Sequence, residues 1–523
     1  MTKSINSLLF SLLLASNTLY AQNILNKGNA SEPSTMDPQL AQGTAEMDIL
    51  RDMFDGLVDE DPAANLIAGA AEKWDISEDG KVYTFHLRPH TWSDGKPVTA
   101  HDFVYAWQRA VNPEVGSKYS FFLYPVVNAK EITEGKAKVE ELGIKALDDK
   151  TLQVTLNHAT PYFLGMLVNA VTYPVPKHVV EQYGADWAKE GKIIGNGAFV
   201  MEKWVPQSHV ALKKSTSYFN ADKVKLDGVV YHVSEDNASE LKRYRAGEID
   251  LTATVPHNEL SWIKENLKDE LKNYNQLGVQ YFGFNLTKPP FKDQPKLREA
   301  LSLAIDRDKI VKYVTGGDEQ VAYSYVVHGV ANYQPYVPEY AKWSQEERVK
   351  AAQKAYEEAG YSKDKPLKVE LLYNTNENNK KLAIAIAAMW KESLGVEAEL
   401  VNKEWKAYLS DRRSYNTQVF RSSWIGDYDD ANTFLEMFVS GGGSNTIGLN
   451  DEAYDALLQK AAAELDLNKR AEILQQAEKH LMDLHGVMPI YYFSAKRLVK
   501  PYVKGYELNL MDHWQSKYLS IEK

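Results

Sequence analysis

The stretch KVELLYNTNENNKKLAIAIAAMWKESLGVEAELV at 368–401, followed by TQVFRSSW at 417–424, decides the fold. KVELLYN (368–374), VEAELV (396–401) and TQVFRSSW have the alternating, strand-like patterning of short β segments. KKLAIAIAAMWKESLG (380–395) reads as an amphipathic helix, and a second helix is expected from near Trp405. Strands separated by helices of about 10–15 residues imply βαβ units, an α/β class and a mainly parallel sheet. Ligands of such sheets bind beyond the carboxyl ends of the strands. Arg421, Trp424 and Asp427 fall at that end, within RSSWIGDYDD at 421–430.

The same alternation extends upstream. A helix is expected over 347–359, a strand over VQYFGFNLT (279–287), and one continuous helix over LREALSLAIDRDKIVKYV (297–314), after the turn PPFKDQP. In KVYTFHLR (81–88), Val82, Thr84 and His86 face one way and Tyr83, Phe85 and Leu87 the other, as in a half-buried strand. SDGKP (93–97) is turn chemistry, and Thr99 caps the helix that follows. KTLQVTL (150–156) is another strand, PVPKHVVEQYG (174–184) a turn and short helix, and SGGGSN (440–445) a flexible surface turn. No 20–50-residue period and no low-complexity segment is present, which sets aside solenoids and disordered tails.

At 523 residues the chain is too long for one core, so two or three domains are expected. The formal charge of −11 argues against nucleic acid as a partner. The N-terminus MTKSINSLLFSLLLASNTLYAQN has a lysine, an apolar run from Leu8 to Ala15 and a cut site after Ala21, the layout of a secretory signal at 1–21. Its removal takes Lys3 and no acid, leaving 59 bases against 71 acids and a charge of −12. With no cysteine in the chain, disulfides, thiolate catalysis, cysteine-rich zinc sites and a lipid-modified cysteine are all excluded. The expectation is an exported periplasmic protein that carries no lipid anchor.

Catalytic signatures are wanting: no HExxH pair, no GxSxG elbow, and no Lys-Ser or Lys-Thr after the glycines of 441–443. Asp427, Asp429 and Asp430 lack the glycine and distal glutamate of a loop-type calcium site, so no metal and no catalytic residue is assigned. Trp405 and Trp424 have an ordinary reading as core residues, Tyr119 as surface packing, Asp429 and Asp430 as a solvated turn, and Arg412 and Arg413 as a solvated helix face. An arginine and an aspartate six residues apart around a tryptophan suit a ligand bearing both charges.

AEKWDISEDGKVYTFHLRPHTWSDGKPVTAHDFVYAWQR (71–109), PPFKDQPKLREALSLAIDRDKIV (289–311) and KPLKVELLYNTNENNKKLAIAIAAMWKESLGVEAELVNKEW (365–405) resemble the peptide/nickel solute-binding family (family 5, cluster C), which feeds ABC importers. The resemblance runs from SEPSTMDP (31–38) to RLVKPYVKGY (497–506). It implies a type II-like periplasmic-binding fold with two main lobes, an extra domain and hinge closure. The first lobe would comprise 22–54, 177–278 and 495–523, the second 55–176 and the third 279–494. It implies a monomer that binds a short peptide by its backbone and ends, delivers it to an inner-membrane ABC permease with cytoplasmic ATPases, and needs no cofactor.

By that resemblance Asp427 would pair with the peptide's amino terminus and Arg421 with its carboxylate. Trp405, Trp424 and Tyr119 would wall side-chain pockets, with Arg412, Arg413, Asn379, Gly43 and Thr44 also in the ligand site. The chain departs from the family's oligopeptide receptor in several places. Val279 and Ile425 replace a disulfide pair, Phe284 and Gln42 replace acids, Thr315 a basic residue, Asn379 and Arg413 histidines, and Ala253 and Thr254 a tyrosine and an asparagine. Acid is lost and base gained, which implies a tilt towards acidic or uncharged peptides. Receptors for murein tripeptide, dipeptide, haem or nickel on the same scaffold stay open, as do an exported peptidase and a periplasmic chaperone.

Overall fold

The strand Lys368–Asn374 buries Val369, Leu371, Leu372 and Tyr373, and just beyond it the Asn376 side chain accepts the N–H groups of Asn378 and Asn379 and so starts the helix Glu377–Leu394. That helix buries Leu382, Ala383, Ile386, Trp390 and Leu394 along one stripe and stops at Gly395, where φ is 78°. The strand Glu397–Lys403 follows and pairs in parallel with Lys368–Asn374. The helix Trp405–Arg413 then leads to the strand Val419–Ile425, also parallel to the first. The βαβ expectation holds here within a few residues at each boundary. The computed structural model describes residues 23–316 and 318–523, so the expected signal segment lies outside the described residues.

The sheet these strands enter is mixed, which corrects the mainly parallel expectation. Val419–Ile425 pairs antiparallel with Leu271–Phe284, which pairs antiparallel with Val487–Leu498, and the short strand Gln320–Val321 closes the edge. Two strands from distant parts of the sequence complete one half of the sheet, and nothing in the local pattern signals their direction. Leu271–Phe284 also starts eight residues before the expected 279. Its outer part, LKNYN, is polar and largely accessible, so hydrophobic alternation misses it.

The expected continuous helix over 297–314 is broken. Pro295–Leu303 ends, and Asp306 caps a new turn, Arg307–Ile310, by accepting the N–H of Lys309 at 3.0 Å. Arg307, fully buried, donates to the carbonyls of Ala322, Pro489 and Ser302 at 3.1, 2.8 and 3.1 Å, which ties the break to the sheet. A buried guanidinium needs such partners, and a straight helix would not bring it to them.

Two smaller sheets occupy the other side of the molecule. Ile24–Asn29 runs parallel to Gly228–Val233, continued antiparallel by His209–Lys214 and Phe199–Val205. Ala71–Ile76, Val82–Leu87, Thr151–Thr155 and Ile144–Asp148 form an antiparallel sheet, with Tyr83, Phe85 and Leu87 inward as the alternation requires. Asp102 accepts the N–H and hydroxyl of Thr99 at 2.8 and 3.0 Å, closing the cap of Ala100–Val111. One continuous core, including Met53, Phe85, Trp107 and Val229, joins these two sheets. Separate cores, one with Tyr325 and Phe434 and one with Phe284 and Trp390, pack against the six-stranded sheet. Among the described residues no helix is long and apolar enough to cross a membrane.

The Trp390 side chain is fully buried, with its indole N–H donated to the Leu301 carbonyl at 2.8 Å. Trp390→Ala should cost roughly 3–5 kcal/mol in urea unfolding followed in the region of the six-stranded sheet; a loss under about 1 kcal/mol would show that the helix does not anchor it.

Candidate functional site

A cleft of about 730 Å³ lies between the sheet that contains Ile24–Asn29 and the six-stranded sheet. One wall is made by Gly28–Ser31 and by Thr44 and Arg51 of the helix Thr44–Met53; the other by Asn374–Asn376, Asn379, Trp405 and Arg421. Gln276 of the strand Leu271–Phe284 and Tyr491 and Lys496 of Val487–Leu498 line it between the walls. The Asn374–Asn379 turn stands at the carboxyl end of a parallel strand, where the βαβ reading places a ligand.

Arg421 projects into this cleft with no carboxylate in salt-bridge reach among the described residues. Nε and Nη2 donate to Gln280 Oε1 at 3.1 and 2.6 Å, and Nη1 reaches Asn374 Oδ1 at 3.5 Å. Gln280 is itself fixed, its amide nitrogen donating to the Ser422 carbonyl. Burial holds the Arg421 guanidinium below its ordinary pKa, and the neighbouring Arg412 adds repulsion. Neutral amide oxygens orient the cation without cancelling its charge, so the group is set to receive an anion.

Asp427 supplies the opposite charge. Its N–H donates to Thr433 Oγ1 at 3.0 Å, and Oδ1 accepts from Asn169 Nδ2 at 3.2 Å. Oδ2 is buried with no partner among the described residues. Burial pushes the carboxyl up to about 7, against the pull of Arg51 and the Asn169 hydrogen bond. Asp427 is not on the wall of the 730 Å³ cleft. Burial, and next the Asp427 charge, raise the Tyr119 hydroxyl well above its ordinary range, so Tyr119 is a neighbour of Asp427.

The carboxylates that follow are engaged elsewhere. Asp430 binds both Nη atoms of Arg470 at 2.7 and 2.8 Å, and Asp429 accepts the N–H of Ala331 at 2.9 Å. Their reading as a solvated turn is corrected for Asp430, which is buried. The Tyr428 ring stacks on Tyr162 at 5.1 Å and meets the edge of Phe122 at 5.9 Å, and Arg470 sits 4.8 Å over Tyr162. The 421–430 segment is thus clasped against the region of the antiparallel sheet.

The remaining candidates divide. Trp405, 47% exposed, lines the cleft and stacks on Tyr408 at 5.5 Å. Thr44 and Asn379 also line it, the Asn379 amide held on Asn374 Oδ1 at 3.1 Å. Trp424 packs partly buried against the core, its indole N–H without a partner among the described residues, and is not on the wall. The solvated-face reading of Arg412 is corrected: it is 8% exposed, packed over Tyr408 and Phe420 at 5.2 and 5.0 Å, and donates to Thr446 Oγ1 at 2.9 Å. Arg413 is exposed and donates to Gln42 Oε1 from across the molecule. Gly43 precedes the helix Thr44–Met53 where a Cβ would meet Glu46 Oε2 at 2.6 Å. Phe284 packs in the core against Phe291 at 4.7 Å and Thr315 turns back to the Val311 carbonyl, so neither opens on the cleft. Sequence reasoning misses Asn169, Gln280, Asn374 and Arg51, which are ordinary residues locally and become informative only through contacts with distant segments.

Residues 65–446 match the profile of bacterial extracellular solute-binding proteins, family 5, middle region. The periplasmic oligopeptide-binding protein OppA of Escherichia coli is 39% identical over 493 residues, 94% of this chain and 90% of its own. Haemophilus influenzae OppA in complex with RPPGFSPFR, 35% identical, superposes with a TM-score of 0.92 over 96% of this chain and 99% of that one. The unliganded open form of the Escherichia coli murein tripeptide-binding protein MppA, 37% identical over 96% and 98%, gives only 0.72. The lower score at no lower identity sets the arrangement described above apart from that open form. Fold, cleft and sequence agree: the chain belongs to the bacterial extracellular solute-binding proteins of family 5.

Proposed function

We propose that this protein captures short peptides in the periplasm by their backbone and two ends and hands them to a membrane ABC permease. The observation that carries the reading is two opposite charges incompletely matched among the described residues: Arg421 meets only amide oxygens in the cleft, and Asp427 Oδ2 is buried without a hydrogen-bond partner. An enclosed charge with no partner is costly, and a zwitterionic guest supplies both missing partners. The other cleft cations Lys496, Arg497 and Arg51 are paired with Glu319, Asp512 and Asp48, while Glu235 and Glu404 line the cleft without an ion pair among the described residues. The lobes would be the segments 22–54, 177–278 and 495–523, then 55–176, then 279–494, turning about the two long central strands. Ligand contacts with both sides favour closure, because a ligand shifts an equilibrium only by its differential affinity. Export through a cleaved signal at 1–21, the monomeric state and the absence of catalysis complete the proposal. The loss of acid at Gln42, with Arg421 unpaired, supports the tilt towards acidic or uncharged guests.

Asp427→Asn should weaken a free-amino tripeptide by at least about 30-fold, since losing one member of a buried charge pair costs roughly 2–5 kcal/mol. The amino-acetylated peptide should bind the two proteins alike. Calorimetry decides; equal affinities for the free peptide would remove Asp427 from the site.

The raised Asp427 carboxyl fixes a pH dependence. Between the ordinary carboxylate value of 3.8 and about 7 the folded empty protein holds a proton that the unfolded chain has released, so this group's contribution to stability falls as pH rises through that window. An arriving ammonium needs the ionised form. Affinity for free-amino tripeptides should therefore fall as pH drops below about 7, approaching tenfold per unit, and the dependence should vanish in Asp427→Asn. A flat wild-type profile between pH 5.5 and 7.5 would contradict it.

A further inference from the structure

A second polar cluster lines the same cleft as Arg421, with Tyr491 within electrostatic reach of both Arg421 and Glu319. Glu319 stands just before the edge strand Gln320–Val321, which pairs with Tyr491 and Tyr492, and Lys496 lies farther along that same partner strand. The Lys496 ammonium donates to Glu319 Oε1, and the two residues are only 4% and 7% exposed. His257 faces the same cleft from a short turn that follows Ala253 and Thr254. Glu319 Oε2 and His257 Nδ1 are both buried with no partner among the described residues. The adjacent Asp318 is no substitute, being held by Lys264 at 2.5 Å and Asn273 at 3.1 Å.

Two buried acceptor positions without donors, on the wall of a cleft, are costly unless a guest fills them. The guest's charge is restricted. The Glu319–Lys496 pair is already neutral, so an ammonium added at Glu319 or a carboxylate added at Lys496 would leave one net charge buried in the cluster. Burial lowers the His257 imidazole to about 4, with Glu319 opposing the shift and Lys496 assisting it, so the ring is neutral at neutral pH and one nitrogen accepts. The small side chains of Ala253 and Thr254, which line the cleft beside His257, leave space for the guest.

We propose that His257, Glu319 and Lys496 form a side-chain subsite for a neutral primary carboxamide, that of a glutamine or asparagine in the bound peptide. The two amide N–H groups donate to Glu319 Oε2 and to His257 Nδ1 in its Nε2–H tautomer. The amide oxygen accepts from one of the Lys496 N–H groups that Glu319 leaves free. The two orphaned acceptors, Glu319 Oε2 and His257 Nδ1, then both have donors and no net charge is added. The inference rests on the reading of the cleft as a peptide site.

The test is calorimetry of trialanine and of its variants with glutamine, methionine, glutamate or lysine at each position in turn. At one position glutamine should bind about tenfold tighter than methionine, and glutamate and lysine no tighter than methionine. The double variant Glu319→Leu/Lys496→Leu, which removes both charges together, should still bind trialanine and lose the glutamine preference. His257→Leu, which leaves the ion pair in place, should lose at least about threefold of that preference through one hydrogen bond. Glutamine no better than methionine at every position, or a preference that survives both variants, overturns the subsite. Failure of trialanine and all its variants to bind the wild-type protein rejects the peptide reading itself, and the subsite with it.

Discussion

The antiparallel pairing of Leu271–Phe284 with Val487–Leu498 is the constraint on which the rest of the structure depends. These strands run from the six-stranded sheet towards the smaller sheets, so they belong mechanically to both sides of the cleft. Their inner halves are fully buried, with Val279, Tyr281, Phe282, Met488 and Ile490 divided between the two cores of that sheet. Gln280, on the first strand, orients Arg421, and Tyr491 and Lys496, on the second, line the cleft. Buried among the cores at one end and lining the cleft at the other, this ribbon frames both walls.

The charges of the cleft divide by whether they have been matched. Lys496, Arg497 and Arg51 have carboxylate partners in hand, whereas Arg421 has neutral amides and Asp427 a single amide. Matched pairs contribute shape and local neutrality; unmatched groups hold the electrostatic free energy that a guest releases on arrival. The buried Asp430–Arg470 pair, two residues after Tyr428, shows the contrast within one turn. Near-identical side chains in DYDD therefore have different work, set by whether an arginine reaches them from Leu467–Asp483.

Much of the fold was legible from local pattern. The strand Lys368–Asn374, the capped helix after Thr99 and the in-out order of Tyr83, Phe85 and Leu87 each follow from side-chain period and end chemistry alone. Strand direction in the six-stranded sheet was not, because partners come from residues more than a hundred positions away. The helix break at Asp306 was written as a capping aspartate followed by a buried arginine, yet apolar spacing across it masked the signal. At the site the charges of Arg421 and Asp427 were plain, whereas Trp405, whose residue type alone suggests core and whose place as a wall came from the resemblance, lines the cleft. Arg412 was misread as a solvated face because the aromatic rings that cover it, Tyr408 and Phe420, sit on different elements.

The hydrogen bond from Asn169 to Asp427 joins residues 258 positions apart, and the stacked Tyr162 and Tyr428 rings bridge the same seam. A cargo held behind such a seam cannot diffuse away until the seam parts. Its dwell time then depends on how often the protein gapes, which the bonds to the cargo on both sides themselves slow. Unloading becomes a mechanical act, available to whatever pries the seam apart.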